Sequence, residues 1–115
     1  MRFALFTASV PEYSPEDAAR LLHQLGYEGI EWRVTDQEPA PDGQPTFWQG
    51  NRCTWPLRTF PEDAPQIRAL SDRYQLAIPA FGTYVRSNDV VAVEQAMRGC
   101  AAAGVSQLRV STPHY

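Results

Sequence analysis

The sequence predicts an α/β protein with a parallel sheet, in which four strands alternate with three helices in the order βαβαβαβ. Three observations support this class. Short apolar runs without strict alternation are typical of strands buried on both faces. Stretches with helical periodicity separate these runs. Capping residues and glycines mark the helix ends. Strands that alternate with amphipathic helices indicate βαβ units, in which neighbouring strands are parallel.

The first strand is predicted over residues 2–10, RFALFTASV. The first helix begins in the segment SPED at 14–17, because Ser14 can cap it, Pro15 suits the first helical position, and two acids favour the positive end of the helix dipole. Gly26 ends this helix. Its apolar side chains recur at helical spacing: Ala18, Leu21, Leu22 and Leu25.

The second strand is predicted over residues 29–34, GIEWRV, and a long loop follows from about residue 35 to 60. This loop is rich in proline and glycine, and structureless loops of that length tend to be lids or binding loops. A second helix opens at Pro61 and keeps Ile67, Leu70 and Tyr74 on one apolar side.

The third strand is predicted over residues 76–84, LAIPAFGTY, although Pro79 cannot donate a hydrogen bond to a neighbouring strand. Residues 87–89 cap a third helix, and residues 107–111, QLRVS, form the fourth strand. The third helix keeps apolar or small residues at helical spacing: Val90, Val93, Met97, Cys100, Ala101 and Gly104.

Composition limits the function classes. The 115 residues suffice for one domain, with no second domain, and the net charge of −3 gives no basic footprint for nucleic acid or an anionic membrane. No apolar stretch has the length of a membrane span, and residues 1–10 lack the features of a secretory signal. The two cysteines do not indicate a disulfide framework. The expected compartment is the cytoplasm.

The predicted fourth strand leads into residues 112–115 with no helix to cover it, and the sheet would have unprotected edges. Both features would be explained if the chain were part of a larger fold. The segments LGYEGIEWRVTD, TFWQGNRCTWPL and AAAGVSQLRVSTPHY resemble the N-terminal half of the sugar phosphate isomerase/epimerase family, which are xylose isomerase-like (β/α)₈ TIM barrels. The resemblance implies that the chain is the first half of such a barrel.

The resemblance further implies a divalent-metal enzyme that moves a carbonyl group or inverts a carbon of a small sugar or hydroxy-ketone. In that family the metal ligands and the proton-moving carboxylates come mainly from later strands. The chain alone is therefore expected to hold no metal, no cofactor and no catalytic residue, and to contribute residues that contact the substrate.

Active sites of such barrels lie at the carboxyl ends of the strands, which selects the candidate substrate-binding residues. Glu31 and Arg33 are on one face of the second strand and could bind hydroxyls or a phosphate, or form a structural ion pair. Arg109 and His114 lie in and just beyond the fourth strand and could contact an anion or carbonyl. A lone histidine, however, is more often a satisfied hydrogen-bonding group.

Asn51 and Arg52 lie in the long loop beside Phe47, Trp48 and Trp55, a combination that suits a carbohydrate. Long compact loops commonly pack their own side chains, which favours a structural role for these aromatic residues.

Two other classes remain open. The chain could be a self-contained small α/β ligand-binding protein, or a half-barrel that pairs with itself as a homodimer through its sheet edges. The apurinic-site nuclease branch of the superfamily is disfavoured, because a protein that neutralises phosphates needs a basic stripe. Nucleotide-binding glycine motifs, a GxSxG nucleophile elbow and cysteine pairs with zinc-site spacing are all absent from the sequence.

Overall fold

The structure is a computed structural model that describes residues 2–112, and this part of the chain forms one parallel sheet with three α-helices. The strand order is β1-β2-β4-β5, and the short strand β3 pairs with β2 beside this path. The strands are β1 (Ala4–Phe6), β2 (Gly29–Val34), β3 (Thr54–Trp55), β4 (Phe81–Arg86) and β5 (Leu108–Ser111); the helices are α1 (Pro15–Gln24), α2 (Phe60–Arg73) and α3 (Val90–Ala103).

Local signals set the helix ends as the sequence predicts. Ser14 Oγ accepts a hydrogen bond from the Asp17 N–H at 3.2 Å, and the Asp89 carboxylate caps the start of α3 in the same way. Gly26 and Gly104 follow α1 and α3 with φ values of 84° and 71°. These left-handed conformations favour glycine, because it has no Cβ to clash with the backbone.

Two strands differ from their predicted bounds. β1 is shorter than predicted, because the chain turns into a 3₁₀ helix at Thr7–Ser9. β4 begins at Phe81, five residues later than predicted. Pro79 has no N–H to pair with a neighbour, so only a single parallel bridge, between Ala77 and Gly29, forms before it.

The long loop at 35–60 contains local structure of its own. A 3₁₀ turn forms at Pro41–Gly43, and β3 adds to the end of β2 with Arg33 opposite Thr54 and Val34 opposite Trp55. The loop therefore returns to the carboxyl end of the sheet before α2 begins.

The hydrophobic core lies between the sheet and the helices. From β2 it takes Ile30, Trp32 and Val34, all fully buried. The ring of Phe60 in α2 meets that of Phe81 in β4 edge to face, with centroids 4.8 Å apart. The other residues of β2 consequently point to the opposite face of the sheet.

The buried face of α3 differs from the predicted one. Val90 and Met97 are 73% and 57% exposed, and the buried residues of α3 are Ala96, Gly99, Cys100 and Ala103. The reason is packing against α2: a Cβ on Gly99 would collide with the ring of Phe60, so the missing side chain lets α2 approach on this face.

The sheet curls around the face that lies opposite the core. In a flat sheet β1 and β5 would be about 14 Å apart, given the spacing between neighbouring strands. The Arg109 Cζ nevertheless lies 4.3 Å from the centroid of the Phe6 ring. The long side chain of Arg109 thus reaches across two intervening strands to meet Phe6, which favours a sheet that is concave on this face.

Within residues 2–112, no helix is long and apolar enough to cross a membrane. Cys53 and Cys100 are both buried free thiols.

Candidate functional site

The concave face of the sheet carries the polar residues that the sequence singles out. Glu31 and Arg33 alternate with the core residues of β2 and therefore point to this face. Arg109 of β5 reaches the same face through its contact with Phe6. We call this set, together with Gly82 and Tyr84 of β4, the interior face.

Glu31 and Arg109 form an ion pair on the interior face. Glu31 Oε2 lies 2.9 Å from Arg109 Nη2, with the two side chains 24% and 53% exposed. Glu31 Oε2 itself is inaccessible to solvent, and within the described residues it accepts no well-aligned hydrogen bond. The contact is thus mainly a charge interaction. Since the arginine is half exposed, its head group can also reach a ligand in the concave space.

Gly82 has no side chain, and its absence provides the space in which the Glu31–Arg109 pair forms. It lies on β4, between the strands that carry Glu31 and Arg109. A Cβ at this position would lie 2.7 Å from Arg109 Nη2, 2.8 Å from Glu31 Oε2 and 2.5 Å from Phe6 Cε1. Each distance is too short for a real contact, so a side chain at this position would force the ends of these three side chains to shift.

Arg33 is buried beneath the long loop, with only 2% of the residue exposed. Its Nη1 donates to Gln37 Oε1 at 2.9 Å and to Thr54 Oγ1 at 2.8 Å, and its Nη2 donates to the Trp48 carbonyl at 3.0 Å. All three acceptors are neutral. Arg33 therefore anchors the beginning, middle and end of the loop to the end of β2.

Asn51 is also buried, and its amide holds the loop together. Its Nδ2 donates to the carbonyls of Ala8 and Phe47, and its Oδ1 accepts from the Cys53 N–H at 2.9 Å. The side chain of Gln37 bonds to both the N–H and the carbonyl of Asn51. These contacts give Asn51 a structural role in the loop, and a direct substrate contact stays a prediction.

Three aromatic side chains gather where the loop crosses the interior face. The rings of Trp48 and Tyr84 have centroids 5.5 Å apart, and those of Phe47 and Trp48 are 4.5 Å apart. Trp48 is 63% exposed, whereas Trp55 packs on Trp32 in the core. The group formed by the exposed Phe47 and Trp48 and the partly buried Tyr84 is called the aromatic platform.

The remaining candidate residues lie elsewhere. Arg52 is exposed and donates from Nη1 to the Glu12 carbonyl at 3.0 Å, so it joins the long loop to the loop after β1. His114 lies outside the described residues. The structure thus brings Glu31, Arg33 and Arg109 to one face, with Asn51 in the loop above them.

Sequence reasoning missed Tyr84, Gln37 and Gly82. Tyr84 could have been found, because it lies two residues after Gly82 on a strand and therefore shares its face. Gln37 carries no comparable signal, since its role depends on how the loop folds back.

The described residues do not provide a metal site. Between residues 2 and 112, no three side chains of His, Cys, Asp or Glu converge in a way that could hold an ion. The metal that the family resemblance implies would need ligands from elsewhere.

Comparisons with known proteins support the fold. No protein-family model matches the chain, and no curated protein matches it significantly. Among solved structures, the chain is similar to a xylose isomerase domain-containing protein from Salmonella typhimurium LT2, with a TM-score of 0.65 and 21% sequence identity. The alignment covers 97% of this chain and 37% of that one, so the chain spans little more than a third of its structural neighbour. The predicted α/β class is confirmed: the chain is a parallel α/β fold similar to the xylose isomerase-like TIM barrel domain.

Proposed function

We propose that this chain supplies the N-terminal half of a TIM-barrel isomerase or epimerase that acts on a small sugar or hydroxy-ketone. The observation that carries the proposal is the interior face, where Glu31, Arg33 and Arg109 gather on the concave side of a parallel sheet beside the aromatic platform. Ligands of TIM barrels bind at the carboxyl ends of the strands, where the loops converge.

Each group has a role that suits a polyhydroxylated ligand. The Trp48 ring can cover the C–H face of a sugar, because it is exposed and held against Tyr84. Glu31 can accept hydrogen bonds from hydroxyls, and Arg109 can donate to a hydroxyl or carbonyl oxygen. Asn51 and Arg52 fix the loop that carries Phe47 and Trp48 of the platform.

The chemistry implied by the resemblance is proton abstraction beside a carbonyl group, which needs an acid and a base within hydrogen-bond reach of the substrate. A divalent metal would polarise the carbonyl oxygen in the intact enzyme. In this proposal the present residues bind and orient the substrate, and the proton-moving groups belong to the other half of the barrel. The isolated 115-residue chain should therefore show no turnover, and measured isomerase activity would contradict this division of roles.

Substrate binding is the direct test of the interior face. The chain is titrated with ketoses and aldoses of three to six carbons while tryptophan fluorescence is recorded. We expect saturable binding that Trp48→Ala weakens about fivefold, the size of a lost aromatic contact. Phe3→Ala is the matched control, because Phe3 is a 59% exposed aromatic residue that precedes β1 at the opposite end of the sheet.

A second candidate is a half-barrel that associates with itself. Within the described residues β1 and β5 each pair with one neighbour, and exposed apolar side chains lie at both: Phe3 and Leu25 near β1, and Val110 in β5. Two copies joined edge to edge would give eight strands on the main path, the number in a closed barrel of this class. Light scattering tests this arrangement: a dimer that Val110→Glu dissociates supports it, because Val110 is the 37% exposed apolar residue of β5, and a monomer at high concentration excludes it.

We also propose a cytoplasmic location. The two buried free thiols of Cys53 and Cys100 support it, because proteins of oxidising compartments more often pair their cysteines.

A further inference from the structure

The outer side of α3 is an apolar surface that no other element of residues 2–112 covers. Val90 and Met97 are 73% and 57% exposed there, and together with Val93 and Ala101 they line a shallow groove of about 430 Å³. Exposed apolar side chains that lie next to one another, rather than singly, commonly mark an interaction surface. We call this surface the α3 face.

The composition of α3 indicates that both of its sides belong in contacts. Of its 14 residues, VVAVEQAMRGCAAA, only Glu94 and Arg98 are charged. A helix that is apolar on all sides is normally buried on all sides. α3 packs one side against α2, where Gly99 leaves room for the ring of Phe60. The α3 face, whose apolar residues recur every three or four positions, has no partner in the described part of the chain.

The two charged residues lie on one flank of the α3 face and have no counter-ion. Glu94 and Arg98 are exposed, and within residues 2–112 neither forms an ion pair of 4.0 Å or less. They are four residues apart, which places them about 6 Å apart along the helix axis. A parallel copy of α3, related by a twofold axis, would have its charged flank on the opposite side of the interface. An antiparallel copy would have it on the same side, with the order of the two charges reversed.

We propose that the α3 face binds a second copy of this chain, with the two α3 helices antiparallel and related by a twofold axis at the level of Ala96. This axis lies midway between Glu94 and Arg98, so each Glu94 faces the partner's Arg98 and two reciprocal ion pairs form. The same patch then serves both subunits, as twofold symmetry requires. The proposal goes beyond the proposed function, because it involves neither the interior face nor a sugar.

The apolar residues of the α3 face suit this arrangement. Met97 lies one residue from the axis and therefore packs on the partner's Met97, where its flexible side chain can adapt to the surface it meets. Val90, at one end of the groove, comes level with the small residues near Ala101 at the other end. One helix pair makes a small interface compared with the roughly 1,200–2,000 Å² of a stable complex, so the dimer should dissociate on dilution.

Sedimentation equilibrium of the full 115-residue chain over a range of concentrations measures the dimer dissociation constant. We expect a monomer–dimer equilibrium. Met97→Glu should raise the dissociation constant about tenfold or more, since two like charges would meet at the centre of the interface. Leu25→Glu is the matched control, because Leu25 is a 64% exposed apolar residue at the end of α1 and should leave the constant unchanged. Circular dichroism shows whether each variant is folded.

A charge swap tests the antiparallel orientation. Glu94→Arg and Arg98→Glu should each raise the dissociation constant about tenfold, because two attractive contacts become repulsive. The double variant exchanges the two charges and should restore the dissociation constant of the parent chain. The two single variants, mixed in equal amounts, should form a heterodimer, because all four charges are then matched. A merely local effect of either charge on α3 would produce neither the restoration nor the heterodimer.

The proposal is overturned if the chain stays monomeric at the highest concentration, or if Met97→Glu and Leu25→Glu change the dissociation constant equally. A dimer that the double charge swap fails to restore would also contradict it. So would a dimer that Val110→Glu dissociates and Met97→Glu leaves intact, since that dimer would join through the edge strand β5 instead of the α3 face.

Discussion

Glu31 and Arg109 are joined across an intervening strand: Oε2 and Nη2 lie 2.9 Å apart, and Gly82 of β4 lies beneath them. The arginine also lies 4.3 Å above the ring of Phe6 on β1. A residue of β5 thus contacts residues of both β1 and β2, which is feasible because the sheet is curved and its middle strand has no side chain at the crossing point.

Gly82→Ala should destabilise the chain. The added methyl group would collide with Phe6, Glu31 and Arg109, and overpacking of this kind costs about 1–3 kcal/mol. Urea unfolding followed by circular dichroism measures the loss. In a chain that already carries Arg109→Ala, one of the three colliding side chains is missing. Gly82→Ala should therefore lower the free energy of unfolding by less in that chain. If Gly82→Ala lowers the free energy of unfolding equally with and without Arg109→Ala, the added methyl group does not collide with Arg109.

The Glu31–Arg109 pair should contribute only modestly to stability. Arg109 is 53% exposed, so solvent screens the interaction, and pairs of this kind typically contribute about 0.2–1 kcal/mol. A double-mutant cycle with Glu31→Gln and Arg109→Gln measures the coupling, which should shrink as salt is raised. A coupling near zero at low salt would contradict the ion pair.

The cysteines lead to a pH prediction. Burial raises the pKa of the Cys53 thiol to about 12 and that of Cys100 to about 11, whereas an unfolded thiol ionises near pH 8.5. Above that pH the folded chain keeps protons that the unfolded chain has lost, so the free energy of unfolding should fall as pH rises through 9 and 10.

Chemical denaturation at pH 7, 9 and 10 measures this loss, with Cys53→Ala as the comparison. The substitution should lower stability at pH 7, since it leaves a small cavity, but should also reduce the dependence on pH. The same burial predicts slow reaction of both thiols with a disulfide reagent at pH 8 and fast reaction in urea. Rapid labelling of the folded chain would contradict their burial.

The core contains one polar contact whose loss should be measurable. Ser71 Oγ accepts a hydrogen bond from Trp32 Nε1 at 2.9 Å, and both residues are fully buried. Ser71→Ala leaves the indole N–H without a partner, at a cost of about 1–3 kcal/mol. Ser87→Ala is the control, because Ser87 is exposed and should change stability little. If Ser71→Ala and Ser87→Ala lower the free energy of unfolding by similar amounts, the buried hydrogen bond from Trp32 to Ser71 does not stabilise the fold as predicted.

The parts of this fold that the sequence predicts correctly are those that depend on neighbouring residues. Ser14 and Asp89 cap helices and Gly26 ends one, each through a local property of its own backbone or side chain. The buried face of α3 could not be chosen this way. Small residues such as Gly99 pack there because Phe60, far away in sequence, needs the space.

The interior face was predictable only in part. Strand alternation places Glu31 and Arg33 on the same face of the sheet. In TIM barrels the active site lies at the carboxyl ends of the strands, which makes these two residues candidates for it. The pairing of Glu31 with Arg109, and of Arg33 with loop acceptors rather than an acid, depends on strand order, curvature and the path of the long loop. No local pattern in the sequence specifies these three features.

Calorimetric titration of the folded chain with small ketoses tests the central claim, that the interior face and its aromatic platform bind a sugar. We predict saturable binding that Trp48→Ala weakens about fivefold and Phe3→Ala leaves unchanged. If no ketose or aldose binds, or if the two substitutions have the same effect, the interior face is not a sugar site and the proposed function is wrong.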